Sequence, residues 1–313
     1  MALFVEGWAP EYGASVEPDE DLSPAEGSVD VEVEGRPWEP VPGHDDDVPV
    51  VAFVDGVRRI DARLVLDDGA SAPIPGICGS FAVGAMLWHR RERRAEVTHA
   101  LVDRLAVMTD GRGADMPAVA GMSYRSESVP DTDPAALIRR FHDAMRRAEA
   151  DVAEDLARGG YFVVADGPLY DYGHVPKIGY VKSHRRSYLP DGHAGIVAEL
   201  GAGQRTPLFT IGEGRFRRYS WYLRLADRDG GHSWAGIVRC EAAASLERTE
   251  VVRLADRAAA LLPQVGSEPH IDPRAPQNLV PIAALERDLR HRMGDGGLVL
   301  RALRSAVRGG AAA

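Results

Sequence analysis

The amino-acid sequence predicts an α/β fold with a mixed sheet flanked by helices, and three observations support it. Two runs rich in β-branched and aromatic residues, 50–54 and 161–165, have the composition of buried strands. Between them, apolar residues recur every three or four positions from 137 to 156, which indicates one long amphipathic helix. Strand-like and helix-like patterns then follow to the end of the chain, as in a mixed α/β domain.

The first half of the chain contains mostly strand patterns. The alternating residues 29–34 predict one half-exposed strand. Strand 50–54 is expected to end in a turn at Asp55-Gly56, with 59–66 as its hairpin partner. Two further strands are expected at 77–87 and 97–108, and the pattern of the second also fits a helix.

The long helix and the second half complete the fold. Asp133-Pro134 is a favourable N-cap and first helical position, and Gly159-Gly160 ends the helix. The remaining predicted elements are strands at 177–182, 217–226 and 234–240 and helices at 245–262, 276–291 and 298–307.

The acidic charge is concentrated at the N-terminal end. The net charge is −10, but residues 1–47 contain 14 acidic side chains and one basic side chain, Arg36, so that the remaining chain is slightly basic. This asymmetry predicts an acidic N-terminal extension, 1–47, followed by one domain, 48–313. The extension is either a solubilising tail or a cover for a basic surface.

Composition excludes several classes of protein. With 45% apolar residues the chain can form a sizeable core. Its apolar runs are too short to span a membrane and no secretory signal is visible, so a cytoplasmic protein without a membrane partner is expected. Two cysteines are too few for a disulfide framework or a zinc site. No phosphate-binding loop motif is present, so any ATP hydrolysis must come from a partner.

Two predicted buried strands are each followed by Asp-Gly, at Asp55 and at Asp166. Carboxylates at the ends of neighbouring strands would meet in one crevice, and a cation would be needed to neutralise them. Oxygen ligands favour Mg²⁺ or Mn²⁺, and such ions can hold both reacting oxygens of a phosphodiester. The alternative is that both pairs are only tight turns in an unrelated α/β binding protein.

A third carboxylate is expected from the long helix. The candidate is Glu149, because it lies about as far from the helix–strand turn as Asp166 does. Asp166 lies about 16 Å along its strand from the turn that joins strand and helix, at 3.3 Å per residue. Glu149 lies about 13 Å and Asp155 about 4 Å from the same turn, at 1.5 Å per residue. Glu149 is therefore level with Asp166. The alternative is a surface glutamate paired with Arg146 or Arg147.

Basic clusters with neighbouring aromatic residues occur at 89–94, 184–186 and 215–218. Such a combination is typical of a groove for single-stranded nucleic acid, although charged loop tips have the same composition. The cluster at 184–186 is favoured because it follows the predicted strand that ends at Lys182 and would extend from the predicted site. Its candidate DNA-binding residues are Arg185, Arg186 and Tyr188.

Taken together, these segments resemble the NurA-domain nucleases, which work with HerA-type DNA translocases. The resemblance runs from about residue 6 to residue 293, through motifs that are short but keep their order and spacing. They are Phe53-Val54-Asp55-Gly56 with Arg58-Arg59, and segments 145–149, 163–169, 179–185 and 276–282, preceded by an N-terminal signature at 8–13.

The resemblance implies an RNase H-like core and Mn²⁺- or Mg²⁺-dependent exonuclease and endonuclease activity on DNA. It also implies a homodimer bound to a HerA-like hexameric ATPase, in DNA end processing or antiphage defence. By motif position, Asp55, Glu149 and Asp166 would be catalytic metal ligands, and Lys182 would contact the scissile phosphate or orient the water. Arg58 and Arg59 are further candidate DNA contacts.

The chain departs from the family pattern at two positions. Val57 stands where many members have serine, and Glu286 falls where the family often has a histidine. Glu286 is therefore an additional candidate for a metal ligand. An alternative function is a catalytically inactive RNase H-like adaptor subunit that binds DNA or the ATPase.

Overall fold

A computed structural model describes most of the chain after residue 28. The described residues are 2–5, 29–67, 69, 72–113, 116, 118, 119, 121–170, 173–182, 187–214, 217–227 and 232–310. The N-terminal signature at 8–13 and the candidate DNA-binding residues Arg185 and Arg186 lie outside them.

The described strands belong to one sheet. They are β1 Ala2–Val5, β2 Val41–Pro42, β3 Val50–Asp67, β4 Ile74–His89, β5 Arg94–Met108, β6 Arg125–Ser128, β7 Phe162–Asp166, β8 Ile178–Val181, β9 Gln204–Arg205, β10 Phe209–Ile211, β11 Arg218–Arg224 and β12 Ile237–Ala243. The helices are α1 Ala135–Arg158, α2 Ile196–Glu199, α3 Arg248–Leu261, α4 Val280–Arg292 and α5 Gly296–Gly310.

The sheet is mixed. Its order is β2-β9-β11-β12-β8-β7-β3-β4-β5-β6, with β1 on β3 and β10 on β11. Strands β3, β4 and β5 form an antiparallel meander, whereas β7 runs parallel to both β3 and β8. The predicted α/β architecture with a mixed sheet is confirmed.

Helices cover both faces of the central strands. On one face, Phe141, Val152 and Leu156 of α1 pack against Val54 and other residues of the meander. On the other face, α4 packs on the alternate residues of β3 through Leu285, while α3 packs on β9 and β11 in the same cluster. The Asp133 carboxylate accepts the Ala135 N–H at 3.0 Å, as expected for the start of α1. No helix in the described part of the chain is long and apolar enough to cross a membrane.

The predicted end of the first buried strand is wrong. Strand β3 continues through Asp55-Gly56 to Asp67, and its hairpin partner is β4 rather than 59–66. The reason is that β4 is buried along most of its length, so its backbone groups need ladder partners well beyond Gly56. Asp-Gly is a frequent turn signal, but long-range pairing overrides it here.

The predicted strand at 29–34 is also wrong. Only Asp30 forms a bridge, with Thr210, before the chain turns at Gly35, which has a φ of 70°. Val29 and Val31 pack against a buried cluster, so their alternation reflects packing rather than a ladder. The turn directs the Glu34 carboxylate onto fully buried Arg205, with both guanidinium N–H···O distances at 2.9 Å.

Three consecutive aspartates, the Asp45–Asp47 triplet, contact arginines of the predicted domain. Asp45 pairs with Arg90 and Asp47 with Arg91 at the β4–β5 hairpin. Asp46 pairs with Arg257 of α3, with an N···O distance of 2.6 Å. The acidic extension therefore contacts the body through several ion pairs, while its division from residues 48–313 as a domain stays a prediction.

Candidate metal centre

A cleft opens where β7 ends and β3 continues. The ladder between these parallel strands ends at the pair Val54–Ala165, so Asp55 and Asp166 occupy the next position on each strand. The cleft has a volume of about 260 Å³ and is bounded by β3, β7, β8, α1 and α4. Strand pairing and strand length thus bring together the two aspartates that the sequence singled out.

Three carboxylates converge at the floor of this cleft. Oxygens of Asp55, Asp166 and Glu286 all lie within 4.8 Å of one another. Asp55 and Asp166 each keep one buried oxygen that has no hydrogen-bond partner among the described residues. Buried carboxylate oxygens are normally paired, so two unpaired ones side by side fit a divalent cation.

Glu149 lines the same cleft from α1 but is not one of these three residues. It lies against Gly56, where a side-chain carbon would collide with the Glu149 carboxylate. Glu149 thus lies in the cleft, as counting residues along α1 and β7 predicts, whereas the Asp155 side chain is 67% exposed. Glu286, only an additional candidate from the sequence, is the carboxylate that forms the group of three with both aspartates.

Burial and mutual repulsion act on the carboxylates. Burial raises the pKa of Asp55 well above its usual value, and the charges of Asp166, Glu149 and Glu286 add to this effect. Burial also raises the pKa of Glu149 to about 7, against the opposing attraction of Arg146. A cluster that resists ionisation by itself will exchange protons for a cation, because the cation removes the repulsion.

Lys182 is fixed beside the carboxylates. Its Nζ lies 2.7 Å from Asp166 Oδ2 and 3.2 Å from Asn278 Oδ1. Burial by itself lowers the pKa of Lys182, but the charge and hydrogen bond of Asp166, together with Asp55 and Glu286, outweigh it and raise the pKa above its usual value. Lys182 is therefore a charged side chain at a defined position in the cleft.

The other predicted DNA contacts lie in different places. Arg58 lines the cleft. Arg59 does not: it pairs with Asp61 at 2.8 Å and donates to the Gly294 carbonyl after α4. These contacts account for the position of Arg59, and its role as a DNA contact stays a prediction. The Tyr188 ring lies under the Arg239 guanidinium, 4.9 Å from the ring centroid.

Sequence reasoning missed four residues of the site. His142 and Arg146 line the cleft from α1, and Arg274 lines it from the segment before α4. Asn278 contacts Lys182 directly. The available signals were the helical spacing of His142 and Arg146 from Glu149, and the position of Asn278 within the motif at 276–282.

The loop after Asp166 is held on two sides. Gly167 has a φ of 83°, which favours glycine. Arg146 donates to the Pro168 carbonyl at 2.5 Å, and the Leu169 N–H donates to the buried Glu241 carboxylate at 2.8 Å. These bonds fix the direction in which β7 ends, and with it the position of Asp166.

We expect Gly56→Ala to disturb the cleft. The added methyl group collides with Glu149 and also crowds Met145. The free energy of unfolding is therefore expected to fall by about 1–3 kcal/mol. Gly195→Ala is the matched control, because its new carbon meets nothing within 4 Å. Denaturant unfolding of both variants tests this. Equal stability of the two variants would contradict the close approach of Glu149 to β3.

We expect His142 to make the free energy of unfolding depend on pH. Burial lowers its pKa from 6.5 to about 4, and Arg58 and Arg146 add to this effect. The unfolded chain therefore binds the proton first, and the contribution, at most about 3 kcal/mol, is present above pH 6.5 and lost as pH falls towards 4. We expect His142→Asn to destabilise less at low pH than at neutral pH, as measured by urea unfolding.

The control for this measurement is His291→Asn, since His291 is exposed on α4. The change with pH is expected in the His142 variant. A His142 variant whose difference from the parent protein does not change with pH would show that the buried imidazole takes up its proton normally.

Comparison with known proteins agrees with this geometry. A family model described as the NurA domain matches residues 88–290, which is more than half of the chain. The matched region contains Glu149, Asp166, Lys182 and Glu286, while Asp55 precedes it. A search of curated proteins found no match. The family match supports a nuclease in general.

Proposed function

The chain belongs to the NurA-domain family, and from this premise we propose that it is a Mn²⁺- or Mg²⁺-dependent deoxyribonuclease. The proposed activity includes both exonucleolytic and endonucleolytic cleavage. The observation that carries it is the convergence of three carboxylates with two unpaired buried oxygens in an open cleft.

The residues that would hold the cation are Asp55, Asp166 and Glu286, with Glu149 adjacent. A bound divalent cation would polarise a phosphoryl oxygen and lower the pKa of a coordinated water. The Lys182 ammonium, which donates to Asp166, would bind a phosphate oxygen. Glu149, with a pKa of about 7, can accept a proton near neutral pH. Arg58 and Arg146 add positive charge on the α1 side.

We infer that the core is RNase H-like. What supports this is the order of elements: an antiparallel meander of β3, β4 and β5, then α1, then two strands parallel to β3. In space the five strands run β5-β4-β3-β7-β8, with the acids where β7 ends.

We also propose that the protein is a homodimer that binds a HerA-like hexameric ATPase, in DNA end processing or antiphage defence. The support is family membership and a sequence without a phosphate-binding loop motif, so that movement along DNA needs a partner. Mass measurement of the pure protein, alone and mixed with a HerA-type ATPase, tests the assembly. A monomer that forms no complex would exclude it.

The nuclease activity is tested with linear single-stranded DNA, incubated with purified protein in Mn²⁺ and in EDTA. We expect degradation in Mn²⁺ and none in EDTA, and Mn²⁺ should also raise the thermal unfolding midpoint. Lys182→Met should lower the cleavage rate, whereas Asp155→Asn, at the far end of α1, should leave it unchanged. DNA binding without cleavage in any divalent cation would favour the inactive adaptor.

A further inference from the structure

We propose that Asn278 is a positioning residue. It holds two positively charged side chains of the cleft, Lys182 and Arg274, in one hydrogen-bonded chain. The inference rests on the proposed nuclease function, within which it assigns the placement of positive charge to a neutral amide. Asn278 lies just before α4 and is fully buried, with 0% exposure.

The chain of contacts runs through both ends of the Asn278 amide. Lys182 Nζ donates to Asn278 Oδ1 at 3.2 Å, and Asn278 Nδ2 donates to Asp272 Oδ2. Asp272 in turn accepts Arg274 Nε at 3.3 Å and Nη2 at 3.2 Å. Lys182 also donates to Asp166, so the chain connects the carboxylate floor of the cleft to Arg274 at its wall.

The charges of the neighbours fix the orientation of the amide. Its oxygen faces an ammonium group and its nitrogen faces a carboxylate. In a flipped amide, the N–H donors would face the ammonium and the oxygen would face the carboxylate, so both hydrogen bonds would be lost. Arg274 and Asn278 hold the pKa of Asp272 below its usual value, so this carboxylate is ionised. Asn278 therefore has one stable orientation.

A neutral acceptor serves Lys182 in a way that another carboxylate would not. Lys182 has a long flexible side chain, and Asp166 alone leaves it free to rotate about a single contact. The Asn278 oxygen adds a second contact without neutralising the charge. Arg274 is oriented by Asp272 in the same way, although its side chain is 58% exposed. Both cations consequently face one opening, where a phosphodiester would lie between them.

The test is a double-mutant cycle between Asn278→Leu and Lys182→Met, with cleavage of a single-stranded oligonucleotide in Mn²⁺ as readout. Asn278→Leu alone should lower kcat by about 10- to 100-fold. In the Lys182→Met background it should lower kcat by less than about 3-fold, because the side chain it positions is gone. Gln277→Ala is the matched control, since the contact from Tyr180 uses only the Gln277 backbone carbonyl.

A second pair of variants tests the chain of contacts without relying on Lys182→Met. Asn278→Asp places two carboxylates together and should lower both kcat and the thermal unfolding midpoint. The double variant Asn278→Asp/Asp272→Asn exchanges amide and carboxylate, restores one donor between them and should recover part of both losses. Independent, additive effects in either cycle, or parental kcat for Asn278→Leu, would overturn the proposal.

The same variants separate this proposal from the proposed function. If the parent protein cleaves no DNA, the nuclease proposal fails, and Asn278 is then judged by oligonucleotide affinity in EDTA. Asn278→Leu should weaken that affinity only when Lys182 is present. A loss of affinity that is the same in both backgrounds would reject the positioning role.

Discussion

Asp55→Asn or Asp166→Asn is expected to abolish DNA cleavage while the fold survives. Each change removes one of the three converging carboxylates, and a loss of about 10³-fold or more in cleavage rate is expected. The metal-free Asp55→Asn protein should keep or raise its unfolding midpoint, because burial and three neighbouring carboxylates disfavour ionised Asp55. Asp166→Asn also removes the partner of Lys182, so its midpoint should lie below that of Asp55→Asn. The stabilisation of the parent protein by Mn²⁺ should disappear in both variants.

The measurement combines a cleavage assay with thermal unfolding in EDTA and in Mn²⁺. Asp155→Asn is again the control, as a carboxylate of the same protein outside the cleft. If both aspartate variants cleaved DNA at the parental rate, the metal-site assignment would be wrong. If they simply unfolded, the carboxylates would have a structural role instead.

The second large effect is expected at Glu241, which lies far from any predicted catalytic residue in sequence. Its fully buried carboxylate accepts Arg218 Nε at 2.9 Å and Arg239 Nη1 at 2.6 Å, besides the Leu169 N–H. Burial alone would raise the pKa of Glu241, but the two guanidinium groups outweigh it and lower the pKa. Glu241→Ala removes the carboxylate that two buried guanidinium groups share and should lower the free energy of unfolding by about 3–5 kcal/mol.

Denaturant unfolding at neutral pH tests this prediction, with Glu199→Gln as control on an exposed residue. Glu241→Gln should cost less than Glu241→Ala, since an amide oxygen can still accept one of the three donors. Cleavage should fall in both Glu241 variants, because the loop after Asp166 loses its anchor. Loss of stability within about 0.5 kcal/mol of the control would show that the arginines are solvated.

The sequence indicated that Asp55, Glu149 and Asp166 share one cleft, whereas it did not indicate where the strand that carries Asp55 ends. Apolar periodicity correctly located α1 and the β11–β12 pair, since each pattern is local. The end of β3 was missed because it depends on the length of β4, which lies up to 39 residues away in the chain. Asp55 still meets Asp166, because β7 ends there whether or not β3 continues.

Candidate acids that lie close together in the sequence could be placed in the cleft, whereas a distant one could not. Glu149 and Asp166 are joined by one helix and one short turn, so counting residues was enough to place both in the cleft. Glu286 arrives on α4, more than a hundred residues later, and only the packing of α4 on β3 brings it close. Arg59 could not be separated from Arg58 by sequence, because a contact after α4 determines its direction.

The Asp45–Asp47 triplet would affect how a polyanion such as DNA binds to the arginines that it pairs with. Arg90, Arg91 and Arg257 already carry counterions that the chain itself supplies. DNA that docks on these arginines must exchange phosphate for a tethered carboxylate, and it releases few salt ions there. The displaced carboxylates stay at high local concentration and compete for return. Under the proposed function, the arginines of the β4–β5 hairpin would therefore contribute little to the salt dependence of DNA binding.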